Sequence, residues 1–266
     1  MREERHYSLS VEELILAMYV IGRQEAAAGL LQLSFDPMSD QELEIRLVTA
    51  GHSLAARGWL TVDEQAGTKE LDAGLTAAIL PLCEAAYTLR FTKQVQGEEV
   101  AMGIHVASDG QLTVHRLEKG FNHRMEVLSG PEEILGAVQS FFELTWQEHS
   151  DETFETTVRQ ELEQTAAQEA EELETLLADS GMPEPLNGWF AEDLTESEDW
   201  WTVLRVEYTE EREPQAERGF LLLSGKERFW LLRPSEGDEG TEDDAFAVEL
   251  GTRESLDRDL AALMEG

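Results

Sequence analysis

Apolar positions in the first 85 residues recur at helical spacing. Leu14, Ile15, Met18, Tyr19 and Ile21 fall mainly on one helical face, and Ser10 followed by Glu13 has the spacing of a capping box. A helix is therefore predicted from Val11 to about Gly22. Ser39 and Glu42 repeat the signal, with Leu43, Leu47, Ala50 and Leu54 in phase until Gly58 supplies a stop. Trp59 to Val62 reads as a short extended piece, Asp63 to Thr68 as a polar turn, and Asp72 to Cys83 as a further helix despite Pro81.

From Tyr87 the period changes to two. Tyr87, Leu89 and Phe91 alternate with Thr88, Arg90 and Thr92, the pattern of a half-buried strand. Asp109-Gly110 between Val100 to Ser108 and Gln111 to Leu117 predicts a two-residue hairpin, because both turn positions then need positive φ. That register pairs His105 with Val114 and His115 with Ile104. It places the two histidines on opposite faces of the sheet, where they share no metal. Met125 to Leu128 adds a strand, and Ser129-Gly130-Pro131-Glu132 starts a helix carrying Ile134, Val138, Phe141 and Phe142.

The same order returns in the second half. Leu89-Arg90-Phe91 corresponds to Leu204-Arg205-Val206, and Ser108-Asp109-Gly110 to Ser224-Gly225-Lys226. Ile134, Val138, Phe141 and Phe142 correspond to Leu256, Leu260, Leu263 and Met264 in identical helical phase. The offset grows only at the acidic stretch Ser235 to Asp244, as an insertion in a turn would produce, and the whole reads as an internal duplication. Between the copies, Phe154, Val158, Leu162, Ala166, Ala170, Leu173 and Leu177 form one narrow apolar stripe and predict a single long helix over 151–178. Leu186 to Leu194 reads as a short helix, and Trp200 opens the second sheet. The fold class expected is α+β: two quasi-symmetric halves, each an antiparallel sheet with helices packed on one side of it, related by a pseudo-two-fold axis. The halves are 1–148 (helical lead-in 8–85, sheet and helix 86–144) and 149–266 (long helix 151–178, sheet and helix 199–265).

Composition adds one strong constraint. The 266 residues carry a formal charge of −36, of which −11 lies in residues 1–144 and −25 in the rest. A field of that sign repels phosphate backbones and anionic lipid, so nucleic acid and membrane surfaces are not expected partners. A single cysteine, Cys83, leaves no internal disulfide and no multi-thiolate zinc site. The first residues have mixed charge rather than a signal-peptide pattern, and no apolar run reaches the ~20 residues of a membrane span, so a cytoplasmic location is expected.

Candidate chemistry is sparse. Gly51-His52-Ser53-Leu54-Ala55 approaches the G-x-S-x-G nucleophile elbow, which would make Ser53 a hydrolase nucleophile. The elbow needs a strand-to-helix turn on a parallel sheet, whereas Ser53 falls inside the helix that Ser39 caps. The acidic stretch 235–244 has the composition of a calcium loop without its D-x-D-x-D-G spacing. The helix at Leu43 to Ala56 with a following hairpin could pass for a winged helix, but Glu42 and Glu44 in a strongly acidic chain oppose a groove-reading role. No catalytic residue, metal site or cofactor is assigned. The connections Lys93 to Glu99 and Thr209 to Glu217 read as loops longer than a tight turn, the usual place for contacts on a rigid sheet.

Several local patterns together resemble a known family. They are the capped start Leu9-Ser10-Val11-Glu12-Glu13-Leu14, the helix end Ala55-Ala56-Arg57-Gly58-Trp59-Leu60, and the Glu70-Leu71-Asp72 step before another helix. The strands Tyr87 to Phe91, Ala101 to Val106 and Gln111 to Leu117 continue the order. The sequence resembles the EspG family of type VII secretion, cytosolic chaperones built from two quasi-symmetric α/β halves. The resemblance implies a non-catalytic chaperone or adaptor that keeps a helical secretion substrate soluble before export, a PE/PPE-like protein or, given the acidity, a basic analogue. It also implies a partner-binding loop at Lys93, Gln94, Val95, Gln96, Gly97, Glu98 and Glu99. The alternatives are an acidic interaction adaptor unrelated to secretion and a serine hydrolase using Ser53.

Overall fold

The helix-start signals act where the sequence places them. The Ser10 hydroxyl accepts the Glu13 N–H at 3.2 Å, and the Ser10 N–H donates to the Glu13 carboxylate at 2.8 Å, closing the capping box on α1 (Val11–Val20). Ser39 caps α3 (Asp40–Ala56) through the Glu42 N–H, and Asp72 caps α4 (Ala73–Glu84) through the Leu75 N–H. The computed structural model describes residues 6–63, 65–146, 155–159, 170–179, 181–197, 200–209, 213–225, 227–234 and 245–265.

Two compact units result. The first comprises Met1–Thr88 and Met102–Ile134. In it α1, α2 (Gln24–Ser34) and α3 are followed by a hairpin of β2 (Leu60–Asp63) and β3 (Thr68–Leu71), then by α4. α2 carries no cap side chain and buries only Ala27, which is why its pattern is faint in the sequence. The sheet of this unit runs from β1 (His6–Ser10) through β7 (Asn122–Leu128) and β6 (Leu112–Glu118) to the inner part of β5 (Glu98–Ala107) and the first residues of β4 (Ala85–Val95). β1 was not foreseen: it pairs Tyr7 with Met125 and Leu9 with His123. Those residues close on Leu14, Ile15, Leu54, Leu75 and Ile79 to form the core, with Tyr7 edge-on to Trp59 at 5.4 Å.

The second unit comprises Leu89–Ala101 and Leu135–Gly266. This division differs from the break at 148/149 expected from sequence, because the outer part of β4 and β5 and the helix α5 (Ile134–Phe142), from Leu135 on, belong with the later residues. Phe142 of α5 stacks on Trp201 at 4.8 Å and meets Phe91 edge-on at 6.1 Å. The sheet of this unit continues from β4 to β9 (Trp200–Tyr208), β10 (Pro214–Ser224), β11 (Phe229–Pro234), β12 (Ala245–Leu250) and β8 (Glu155–Arg159).

Two expectations are corrected here. The predicted long helix over 151–178 is not one helix: Glu155–Arg159 is a strand antiparallel to β12, and helix α6 spans Ala170–Asp179. Thr156, Thr157 and Val158 are consecutive β-branched residues, and pairing with β12 outweighs the helical spacing of the apolar stripe. Helices also cover both faces of the second unit's sheet, not one. α7 (Leu186–Glu196) bonds Trp230 through Asp193, whereas α8 (Arg253–Glu265) bonds Arg233 through Asp259, and residues 230 and 233 point to opposite faces. The run Phe229-Trp230-Leu231-Leu232, buried throughout, is the sequence mark of a strand covered on both sides. All sheet pairings described are antiparallel, and the class is α+β. The order helix, four-stranded meander, helix occurs twice, as α4-β4-β5-β6-β7-α5 and α7-β9-β10-β11-β12-α8.

Candidate functional site

Lys93 to Glu99, expected to be a long loop, is the closed end of the β4–β5 hairpin. β4 runs to Val95 and β5 resumes at Glu98, leaving only Gln96 (φ 55°) and Gly97 (φ 79°) as turn residues. Positive φ at both positions is the tight turn that matches strand twist, and Gly97 supplies the second of them without steric cost. Alternating Thr92, Lys93, Gln94 and Val95 thus continue the strand to the corner.

The seven residues divide by role. Lys93 is largely buried: its ammonium lies 5.3 Å from the Phe141 ring centre and 3.2 Å from the Glu143 carboxylate, which ties the hairpin to the end of α5. Glu99 pairs with Arg90 at 3.1 Å across the strands. Gln94 is half-buried. Val95, Gln96, Gly97 and Glu98 form the exposed tip, with Val95 42% accessible. A short apolar and amide surface flanked by a carboxylate can dock on a protein, and it contains no nucleophile. The counterpart between β9 and β10 spans 209–213, of which 210–212 lie outside the described residues, as does the acidic stretch 235–244.

Ser53 sits exposed in the last turn of α3, a continuous helix, and not on a strand-to-helix turn. The nucleophile-elbow geometry is absent there. Among the described residues no three His, Cys, Asp or Glu side chains are grouped to hold a metal, and no helix is long and apolar enough to cross a membrane.

The histidines require a correction. The β5–β6 turn is a three-residue loop: Ala107 N–H donates to the Gln111 carbonyl, Gly110 N–H donates to the Ala107 carbonyl, both at 2.9 Å, and Gly110 has φ 87°. This type I turn with an αL residue moves the register by one, to Gly103 opposite His115 and His105 opposite Thr113. His105 and His115 therefore share a face. His115 stacks on His123 of β7 at 5.2 Å, with Nε2 and Nδ1 2.9 Å apart, and lies 5.8 Å from the His105 ring. His105 Nδ1 is bonded to the Thr88 hydroxyl at 2.9 Å. Burial lowers the His105 pKa to about 4, and burial with the neighbouring His105 and His123 lowers that of His115 to about 3. His123 is lowered by burial as well. The three rings are neutral at pH 7 and pack as a ladder. The Ser-Asp-Gly triplet was the available signal, since it suits a three-residue loop as well as a two-residue one.

Sequence reading also missed two buried polar groups in the second unit. Asp193, 2% accessible, accepts the Trp230 indole N–H at 2.9 Å and pairs with Arg228 at 2.9 Å. A Cβ on Gly225 would stand 2.2 Å from the Asp193 carboxyl carbon, so this turn requires glycine. On the opposite face, Arg233 and Arg258 hold Glu249 and Asp259, fastening α8 to β11 and β12. Burial pushes the Asp259 carboxyl up, against the pull of Arg233 and Arg258. These groups bind elements of the fold to one another.

The sequence profile of the family described as "Uncharacterised protein YfjC" matches residues 6–260. A Bacillus subtilis (strain 168) protein described as "Uncharacterized protein YfjC" is 24% identical over 233 residues, covering 86% of this chain and 90% of that protein. Among solved structures, the Mycobacterium tuberculosis type VII secretion system chaperone EspG5, determined in complex with the PE25–PPE41 dimer, superposes with a TM-score of 0.62. The match covers 98% of this chain and 96% of that one at 11% identity, a likeness of fold.

Proposed function

The chain belongs to the YfjC family, and from that premise we propose that it is a non-catalytic cytosolic chaperone or adaptor that holds a helical secretion substrate of a type VII-like system soluble before export. The observation that carries this reading is the extent of the fold match: essentially the whole chain corresponds to essentially the whole of a chaperone whose structure contains a bound protein dimer. The exposed hairpin tip at Val95, Gln96, Gly97 and Glu98 supports it as a contact surface, and the elbow geometry that a serine hydrolase would need is missing at Ser53. A charge of −36 favours a basic substrate over a neutral one, through steering and rejection of acidic competitors. On this reading the repeated order of helix, meander and helix descends from an internal duplication with a pseudo-two-fold relation.

The test is purification of the tagged chain from its native host at endogenous level, with native mass spectrometry of the product. The reading predicts a stoichiometric complex with a helical exported protein. A monomer with no such companion contradicts it. An adaptor unrelated to secretion would be recognised by a stoichiometric companion that is never exported.

A further inference from the structure

The first unit carries an apolar groove that the preceding reading does not use. It encloses about 690 Å³ and lies between α3 and the β2–β3 hairpin. From α3 its wall is built by residues 40, 43, 44, 47, 48, 51, 52 and 55, an unbroken i, i+3, i+4 stripe down one helical face. At 1.5 Å per residue that stripe is ~22 Å long, about four turns. Leu60 and Val62 form the opposite side, and Val48 and Val62 are left 50% and 49% exposed. Gly51 keeps the middle of the trough open: a Cβ there would meet only Leu16 at 3.4 Å and Leu60 at 3.9 Å, so the space is real and a side chain could fill it.

Charge decides the occupant. Asp40 and Glu44 line one end of the groove, and among the described residues no ion pair engages either. Glu42, one residue from the stripe, is in contrast held by Arg46 at 3.3 Å, and Glu12 by the same guanidinium at 3.1 Å. Glu12 and Glu42, outside the groove lining, are thus paired with Arg46, whereas Asp40 and Glu44 in the lining have no such partner among the described residues. Lys69 is the ammonium in the lining, set against two carboxylates.

We infer that this groove docks an amphipathic helix of about four turns from a partner protein, its apolar stripe against Leu47, Val48 and Val62 and its lysines or arginines over Asp40 and Glu44. The length of the stripe, its apolar floor and its unneutralised acidic end specify that ligand together. The same acidic end opposes a nucleic-acid backbone, although three helices followed by a hairpin is the element order of a winged helix. The inference rests on the protein-binding reading and gives it a second surface, separate from the β4–β5 tip.

The test is a titration of the full chain against synthetic 18-residue peptides, followed by fluorescence anisotropy. One peptide has leucines at i, i+3, i+4 and i+7 with flanking lysines, the second has the same composition scrambled, and the third replaces lysine by glutamate. The groove predicts saturable binding of the first and at least tenfold weaker binding of the other two. Gly51→Leu, which fills the trough, should weaken the first peptide about tenfold. The exposed pair Asp40→Lys/Glu44→Lys should turn the preference towards the glutamate peptide, with circular dichroism confirming that both variants remain folded. Equal binding of the scrambled peptide, an unchanged affinity in folded Gly51→Leu, or no saturation in the millimolar range would each overturn the assignment. So would an apolar dye that occupies the groove and is not displaced by the lysine peptide, since that outcome marks a small-molecule site. A partner recovered from the native host whose affinity ignores these variants would reject the groove while leaving the chaperone reading intact.

Discussion

The histidine ladder makes stability depend on pH in a way that can be calculated. His105 and His115 have unfolded values of 6.5 and folded values of about 4 and about 3, lowered chiefly by burial. A group depressed on folding contributes fully while the unfolded chain is also neutral, above about pH 6.5. That contribution falls as the unfolded chain takes up protons the folded ring refuses, and the slope ends only near the folded values. Between pH 7 and pH 5 each ring should cost about 2 kcal/mol, together ~4 kcal/mol, with His123 acting in the same direction. Protonation of the many carboxylates lowers self-repulsion over the same range and acts oppositely, so a reference variant is needed. His105→Gln/His115→Phe keeps a polar atom near Thr88 and a ring beside His123 while removing both titrations. Urea unfolding at pH 7 and pH 5 should show the natural protein losing ~4 kcal/mol more than the variant. Equal losses, or assigned His105 and His115 imidazole NMR signals in the folded protein that titrate near 6.5, would refute the reasoning.

Three further outcomes follow from named contacts. Ser10→Ala removes the side-chain half of the capping box on α1 and should cost about 1 kcal/mol in urea unfolding. Asp193→Ala leaves the Trp230 indole N–H without its buried acceptor and removes the nearer of the two carboxylates paired with Arg228, and should cost about 3 kcal/mol, visible as a lowered melting temperature and altered tryptophan fluorescence. Val95→Asp/Gln96→Asp alters only exposed tip residues, so the urea midpoint should hold while affinity for a co-purified partner falls about tenfold, measured by calorimetry.

What could be read without coordinates was what local chemistry decides. Ser10, Ser39 and Asp72 start helices because each side chain meets an otherwise orphaned backbone N–H, and the glycine at 58 stops one. Non-local pairing was not legible. β1 exists because β7 offers it an edge, and Glu155–Arg159 becomes a strand because β12 does, although neither partner is near in sequence. The tip was misjudged for a related reason: charged and amide residues from Lys93 to Glu99 read as loop, yet cross-strand pairing and the Phe141 ring hold Lys93 in a strand. The β5–β6 register turned on one residue, and that residue decided whether His105 and His115 were strangers or neighbours.

The central claim, that this chain holds another protein soluble by binding alone, is tested most directly in a heterologous host. The exported protein recovered with it is expressed with and without the chain, and its soluble fraction is measured after centrifugation. The account predicts that the partner is insoluble or degraded alone and becomes soluble in an equimolar complex when the two are made together. A partner equally soluble in both cases, or one chemically altered by the chain without remaining bound, would contradict it.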